Sequence, residues 1–233
     1  MKTILSRSNR IRLLILFLAL PSLIGANDRG LAHEEVSEKY FTIREEMVSM
    51  RDGVRLYTLI LSPKETTKPL PVILLRTPYN AFRTAGNLSA SSLEAAIGTR
   101  FMGPDYIYVF QDIRGRYKSE GDYFMYRAPR GPFNQSTTDE TTDAWDSIDW
   151  LVKHLTTNGK VGVWGTSYPG WLTLAAMRDP HPALAAAVPF NPVVDAWKAD
   201  DWFHWGAFRG FYAFDFIYGM ETRTDTPTNY PYE

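Results

Sequence analysis

The chain has no cysteine and only four histidines in 233 residues. Without cysteine there can be no disulfide framework, no thiolate metal site and no cysteine nucleophile. Neither sign of charge dominates: the formal net charge is −1, so the basic surface of a nucleic-acid binder is absent. Long apolar runs are also scarce. The longest, Leu13–Leu20, is too short to cross a bilayer, which takes about 20 residues. What remains is an ordinary globular balance, 45% hydrophobic and 22% charged, in a chain long enough for one sizeable core.

The Leu13–Leu20 run follows Lys2, Arg7, Arg10 and Arg12 and precedes Pro21, Ser22 and Gly25-Ala26. A charged head, apolar middle and small-residue exit make residues 1–26 a secretory signal, and a secreted or periplasmic protein is expected. Leu23 or Ile24 would stand at the usual small position before the cut, so an uncleaved anchor stays open as the alternative. Residues 27–40 read as a polar lead-in. Asn87-Leu-Ser89 and Asn134-Gln-Ser136 fit the glycosylation pattern.

Beyond residue 40 apolar runs alternate with helical spacing. Strands are expected at Val54–Leu61, after an Arg51-Asp-Gly53 turn, and at Val72–Leu75, Tyr106–Phe110, Val161–Gly165 and Ala185–Val188. One helix is expected near Leu88–Ile97. A second runs from a cap at Thr138 or Asp139 to about Leu155 and is ended by Asn158-Gly159. A third runs from the Ser167 turn to about Met177. Residues 112–138 read as loop. This order predicts an α/β fold, a mostly parallel sheet with helices on both faces. Within residues 202–218 Trp205, Phe208, Tyr212 and Phe216 share one helical spacing. They are either core packing or the wall of an aromatic substrate pocket.

The most informative stretch is Lys160-Val-Gly-Val-Trp-Gly165-Thr-Ser167-Tyr168-Pro-Gly170. A strand passing through a glycine-framed serine into a helix is the setting in which serine becomes a nucleophile. The first helical N–H groups then face a developing oxyanion. Proline stands where this pattern usually has its second glycine, which the first turn of a helix tolerates.

Arg51-Asp-Gly-Val-Arg-Leu, Arg76-Thr-Pro-Tyr79, Gln111-Asp-Ile-Arg-Gly-Arg, Ser119-Glu-Gly and Gly165-Thr-Ser-Tyr-Pro-Gly occur in this order over residues 41 to about 218. Together they resemble the CocE/NonD-type, X-Pro dipeptidyl-peptidase-like serine hydrolases. These are α/β-hydrolases that include cocaine esterase, glutaryl acylases and α-amino acid ester hydrolases. The run Asp195–Arg209 looks most like the last branch. The resemblance implies an α/β-hydrolase fold with Ser167 as nucleophile. Tyr79 would supply a phenol to the oxyanion hole and Tyr168 its backbone N–H. Asp201 would belong to the carboxylates that bind the substrate's α-ammonium group. It also implies residues 27–190 as the N-terminal part of the hydrolase domain and 191–233 as the start of a helical cap.

No histidine is convincing as the general base. His33 lies in the lead-in and His154 at the far end of its helix. His181 follows about 11 helical residues, some 16 Å from Ser167. His204 belongs to the cap region. By resemblance the acid and histidine of the triad lie beyond residue 233, so this chain is expected to be the N-terminal portion of a longer enzyme. The expected activity is hydrolysis of α-amino acid esters or amides, including β-lactam side chains. An X-Pro dipeptidyl peptidase or a non-catalytic remnant lacking the triad acid and histidine are the alternatives. A small-molecule ester or amide is the expected partner, a homo-oligomer remains open, and no metal or organic cofactor is expected.

Overall fold

The computed structural model describes residues 41–87, 105–195, 197–198 and 201–222. The expected helix near Leu88–Ile97 lies outside them, as do the signal segment and lead-in.

A six-stranded sheet organises the chain, in the order β1-β2-β4-β3-β5-β6. Its strands are β1 (Phe41–Ser49), β2 (Arg55–Pro63), β3 (Leu70–Thr77), β4 (Ile107–Asp112), β5 (Thr157–Thr166) and β6 (Leu184–Phe190). β1 and β2 form an antiparallel hairpin, β2 is antiparallel to β4, and β4, β3, β5 and β6 run parallel. The hairpin turns at Arg51-Asp-Gly53, where glycine supplies a φ of +86°. β1 was not foreseen. Its Arg44, Glu45 and Glu46 break the apolar alternation, which suits an edge strand that must resist further pairing.

β4 is buried along its whole length, and its side chains separate the two halves of the core. Ile107 and Val109 face Ile60, Leu74, Val161 and Val163, covered by Ala144, Ile148 and Leu151 of α2 (Glu140–His154). Ala176 of α3 (Tyr168–Arg178) joins the same cluster. Tyr108 and Phe110 point to the other face, with Leu59, Leu61 and Leu75 under Ala81 and Ala85 of α1 (Ala81–Asn87). Helices therefore cover both faces, as the alternation predicts.

Two expected boundaries differ. Asn158-Gly159 does not end α2 but lies within β5, where the pairing register with β3 shifts between Leu70 and Val72. The Thr157 hydroxyl accepts from the Gly159 N–H and the Asn158 side chain from the Lys160 N–H. The two residues are thus an irregular strand entry, and α2 ends instead as Leu155 turns extended. The aromatic segment also fails to form one long helix. Trp205 (φ +50°) and Gly206 (φ +80°) form the two-residue turn of a hairpin, β7 (Phe203–His204) and β8 (Ala207–Phe208). Only α4 (Gly210–Thr222) is helical, so Trp205 and Phe208 do not share a helical face with Phe216.

Residues 113–138 contain neither helix nor paired strand beyond one bridge between Gly131 and Asn134. Asn134 spends its amide nitrogen on the Ala128 and Thr138 carbonyls. A glycan there would replace one of the two amide hydrogens and so break at least one of these bonds.

Candidate active site

Because β3, β4 and β5 are parallel neighbours, the segments leaving Thr77, Asp112 and Thr166 emerge along one edge of the sheet. Tyr79 follows the first, the Asp112–Gly121 loop the second, and Ser167 the third.

Ser167 stands at the N-cap of α3 with φ 62° and ψ −121°, a conformation that costs a non-glycine residue about 1–3 kcal/mol. Its backbone is pinned on both sides: its N–H donates to Phe190 O at 3.0 Å, and its carbonyl accepts from Trp171 N at 3.0 Å. The flanking glycines make this approach feasible. A Cβ on Gly165 would lie 2.5 Å from Pro169, and one on Gly170 would lie 2.5 Å from Phe190 O. The glycine that the motif needs after the serine is therefore the third residue on, where α3 meets β6. The Ser167 side chain makes no capping bond, and Pro169 has no N–H to offer it. The Tyr168 N–H opens the helix, a position without an intrahelical acceptor.

Tyr79 is half-buried, with its ring edge-to-face on Tyr168 at 6.4 Å between centroids. Its N–H donates to the Thr77 hydroxyl at 3.0 Å. Next to it, Ala81 N donates to the Asp112 carboxylate at 2.6 Å. The Tyr168 ring is fully buried and its hydroxyl accepts from Tyr126 N at 2.8 Å. Burial pushes that phenol far above its usual range, with Tyr123 and Glu140 nearby adding to the shift, so it stays neutral.

Tyr126 is the residue that sequence reasoning missed. It stacks on Tyr168 at 4.3 Å and meets Trp171 and Trp202 edge-on at 5.2 and 6.4 Å. Trp202, buried, packs against Phe216 at 5.2 Å. Asp201, half-buried, directly precedes Trp202. The structure therefore joins Tyr79, Tyr168 and the Asp201–Trp202 step through one aromatic cluster. Trp205, Phe208, Phe214 and Tyr218 are instead exposed. No periodicity marks Tyr126, since it lies in a loop with φ +48°. A cleft of about 190 Å³ opens beside Trp171, between the start of α2 and Leu174 and Arg178 of α3.

Of the motif arginines, Arg76, Arg114 and Arg116 are buried. Arg76 pairs with Glu140 at 3.0 Å, and Arg114 binds Asp143 and Asp52, each at 2.7 Å. Among the described residues no histidine hydrogen-bonds Ser167. His154 stacks on Trp150, His181 sits against Trp145 and Asp149, and His204 is exposed on β7. No cluster of three metal-binding side chains occurs among the described residues.

The profile of the X-Pro dipeptidyl-peptidase (S15) family matches residues 52–229. The chain belongs to the S15 family. Cocaine esterase of Rhodococcus sp. (strain MB1 Bresler) is 30% identical over 164 residues, which cover 70% of this chain and 26% of the esterase. Among solved structures, an α-amino acid ester hydrolase superposes with a TM-score of 0.71 at 40% identity. The match covers 90% of this chain and 33% of that one. An aminopeptidase from a marine-sediment Thaumarchaeota archaeon gives 0.69 at 39%, over 87% and 32% of the two chains. The chain thus spans about a quarter to a third of the length of these relatives, and its fold is that of their α/β-hydrolase domain.

Proposed function

We propose that this S15 chain carries the nucleophile and oxyanion hole of a serine hydrolase acting on esters or amides of α-amino acids. The observation that carries the reading is Ser167 itself: strained, uncapped, at the sheet edge from which the Tyr79 segment also emerges, and one residue before the tyrosine whose ring meets that of Tyr79. In this reading Ser167 Oγ attacks the substrate carbonyl and loses its proton to a base. The tetrahedral oxyanion is held by the Tyr79 phenol and the Tyr168 N–H. Collapse expels the alcohol or amine and leaves an acyl-enzyme, which water hydrolyses by the same route. The base is proposed to lie outside the described residues.

Asp201 is proposed to accept the substrate's α-ammonium group, with Trp202 and Tyr126 walling the acyl side chain. The likeness to an α-amino acid ester hydrolase supports this choice. An X-Pro dipeptidyl-peptidase reading, or an aminopeptidase one, uses the same carboxylate for a peptide N-terminus, and the archaeal neighbour favours keeping it. Residues 1–26 are proposed as an export signal, which the N-terminal mass of the mature protein would test.

The deciding experiment is fluorophosphonate labelling with ester turnover. Ser167→Ala is expected to abolish both, and Tyr79→Phe to slow turnover about 100- to 1000-fold. Undiminished labelling of Ser167→Ala would overturn the reading. A folded protein that carries the proposed base yet neither labels nor turns over ester would favour the non-catalytic remnant.

A further inference from the structure

We infer that Arg116 is a positioning residue: its guanidinium sets the loop that presents Tyr79 and ties that loop to the end of α4. The inference rests on the oxyanion reading of Tyr79.

Arg116 leaves the loop after β4 and is 1% exposed. Its Nε donates to the carbonyl of Pro78, the residue before Tyr79, at 3.1 Å. Its Nη1 donates to the carbonyl of Met220 in α4. The guanidinium carbon lies 5.1 Å from the Tyr117 ring centroid and 4.8 Å from that of Tyr123. Unlike Arg76 and Arg114, it forms no ion pair with any carboxylate whose side chain is described, and its Nη2 is buried without a hydrogen-bond partner. Burying a guanidinium is costly, and an apolar side chain would fill the space at a lower cost in free energy. What an apolar side chain cannot do is hold two carbonyls from two different elements in a fixed relation. A planar fork can.

The backbone directs the side chain to this task. Gly115 (φ +69°) leaves no room for a Cβ against the Tyr123 backbone, so the chain turns sharply between the two arginines. Arg114 then reaches Asp52 and Asp143, while Arg116 reaches Pro78 and Met220. Residues 112–116 grip residues 77–81 at two further points. Ile113 N donates to Thr77 O at 3.0 Å, and the Asp112 carboxylate accepts from Ala81 N at 2.6 Å. Of these three grips, Arg116 is the one that continues into α4. The same cation thus relates the Tyr79 loop to the helix that bears Phe216 and, through it, Trp202.

The test compares the parent, Arg116→Lys, Tyr79→Phe and the double variant in turnover of an α-amino acid ester. Lysine keeps the charge but cannot reproduce the two-pronged geometry. Arg116→Lys is expected to lower kcat about 10- to 100-fold while KM stays within about threefold. In the Tyr79→Phe background the same change should cost less than about threefold, because the group it positions is gone. Equal losses in both backgrounds, or a lysine variant as fast as the parent, would overturn the inference alone. A Tyr79→Phe variant at full speed would sink the oxyanion reading and this inference with it. Hydrogen exchange reads the same claim without turnover. In Arg116→Lys the Tyr79–Ala81 amides should exchange about tenfold faster while those of β4 keep their protection. Unchanged exchange at Tyr79–Ala81, or acceleration across the whole sheet, would reject a positioning role.

Discussion

Ser167 owes its geometry to residues that carry no chemistry of their own. Its φ of 62° persists because β5, α3 and β6 converge on it, and the convergence needs the missing side chains of Gly165 and Gly170. Gly170→Ala places a Cβ 2.5 Å from Phe190 O, a backbone atom that cannot swing away. The variant should lose about 1–3 kcal/mol in urea denaturation and slow Ser167 labelling, since relief requires α3 or β6 to shift. Asp201 makes a different kind of claim, about discrimination. Charge-assisted hydrogen bonds contribute about 1.5–3 kcal/mol, so Asp201→Asn should lower kcat/KM about 10- to 100-fold for esters with a free α-amine. Turnover of the matching desamino ester should not change. Equal losses on both esters would remove Asp201 from ammonium binding.

At the scale of elements, α2 shows how a short signal can specify a boundary. Asp139 accepts from Thr142 N while Asp139 N donates to the Thr142 hydroxyl, closing a capping box that the sequence places within a residue. Burial alone would raise the Asp139 pKa, but N–H bonds from Arg130 and Thr142 and the Arg130 charge hold it below 3.8. A lowered carboxyl pKa stabilises the fold above 3.8 and loses that contribution as pH falls through the depressed value. Asp139→Ala should therefore cost about 1 kcal/mol near neutrality. The gap to the parent should narrow in denaturation curves taken below 3.8. The β7–β8 hairpin teaches the opposite lesson. Helical spacing of aromatics is present in residues 202–218, yet Gly206 with positive φ admits a tight turn, and local turn chemistry overrode the period.

The whole molecule is laced by a buried ionic network that no pattern in one segment announces. Asp52 in the first turn, Arg76 on β3, Arg114 in the loop after β4, and Glu140 and Asp143 on α2 meet between sheet and helix. Asp143 faces two guanidiniums, Arg114 at 2.7 Å and Arg76 at 3.9 Å. Removing it leaves buried positive charge uncompensated, and Asp143→Ala should cost about 3–5 kcal/mol. Lys153→Ala, which breaks an exposed pair with Asp149, should cost at most about 0.5 kcal/mol in the same denaturation assay. Glu140 responds to pH in the sense opposite to Asp139. Burial raises its pKa against the pull of Arg76, so its contribution is full below 4.5 and fades as pH rises through the raised value.

The sequence by itself determined the parallel sheet, the capped start of α2 and the turn at Ser167. Each is written in contiguous residues: Val161–Gly165 with the Gly-Thr-Ser that follows, or Asp139 with Thr142. It also carried the family, through five short motifs in order. Only the tertiary structure decided what the motif residues touch. Arg76, Arg114 and Arg116 look alike along the chain, yet two meet carboxylates and one meets carbonyls, because strands from distant segments lie side by side. Tyr126 enters the Ser167 neighbourhood for the same reason. Its loop has no period to read, and its place is fixed by a ring 42 residues away in sequence and 4.3 Å away in space.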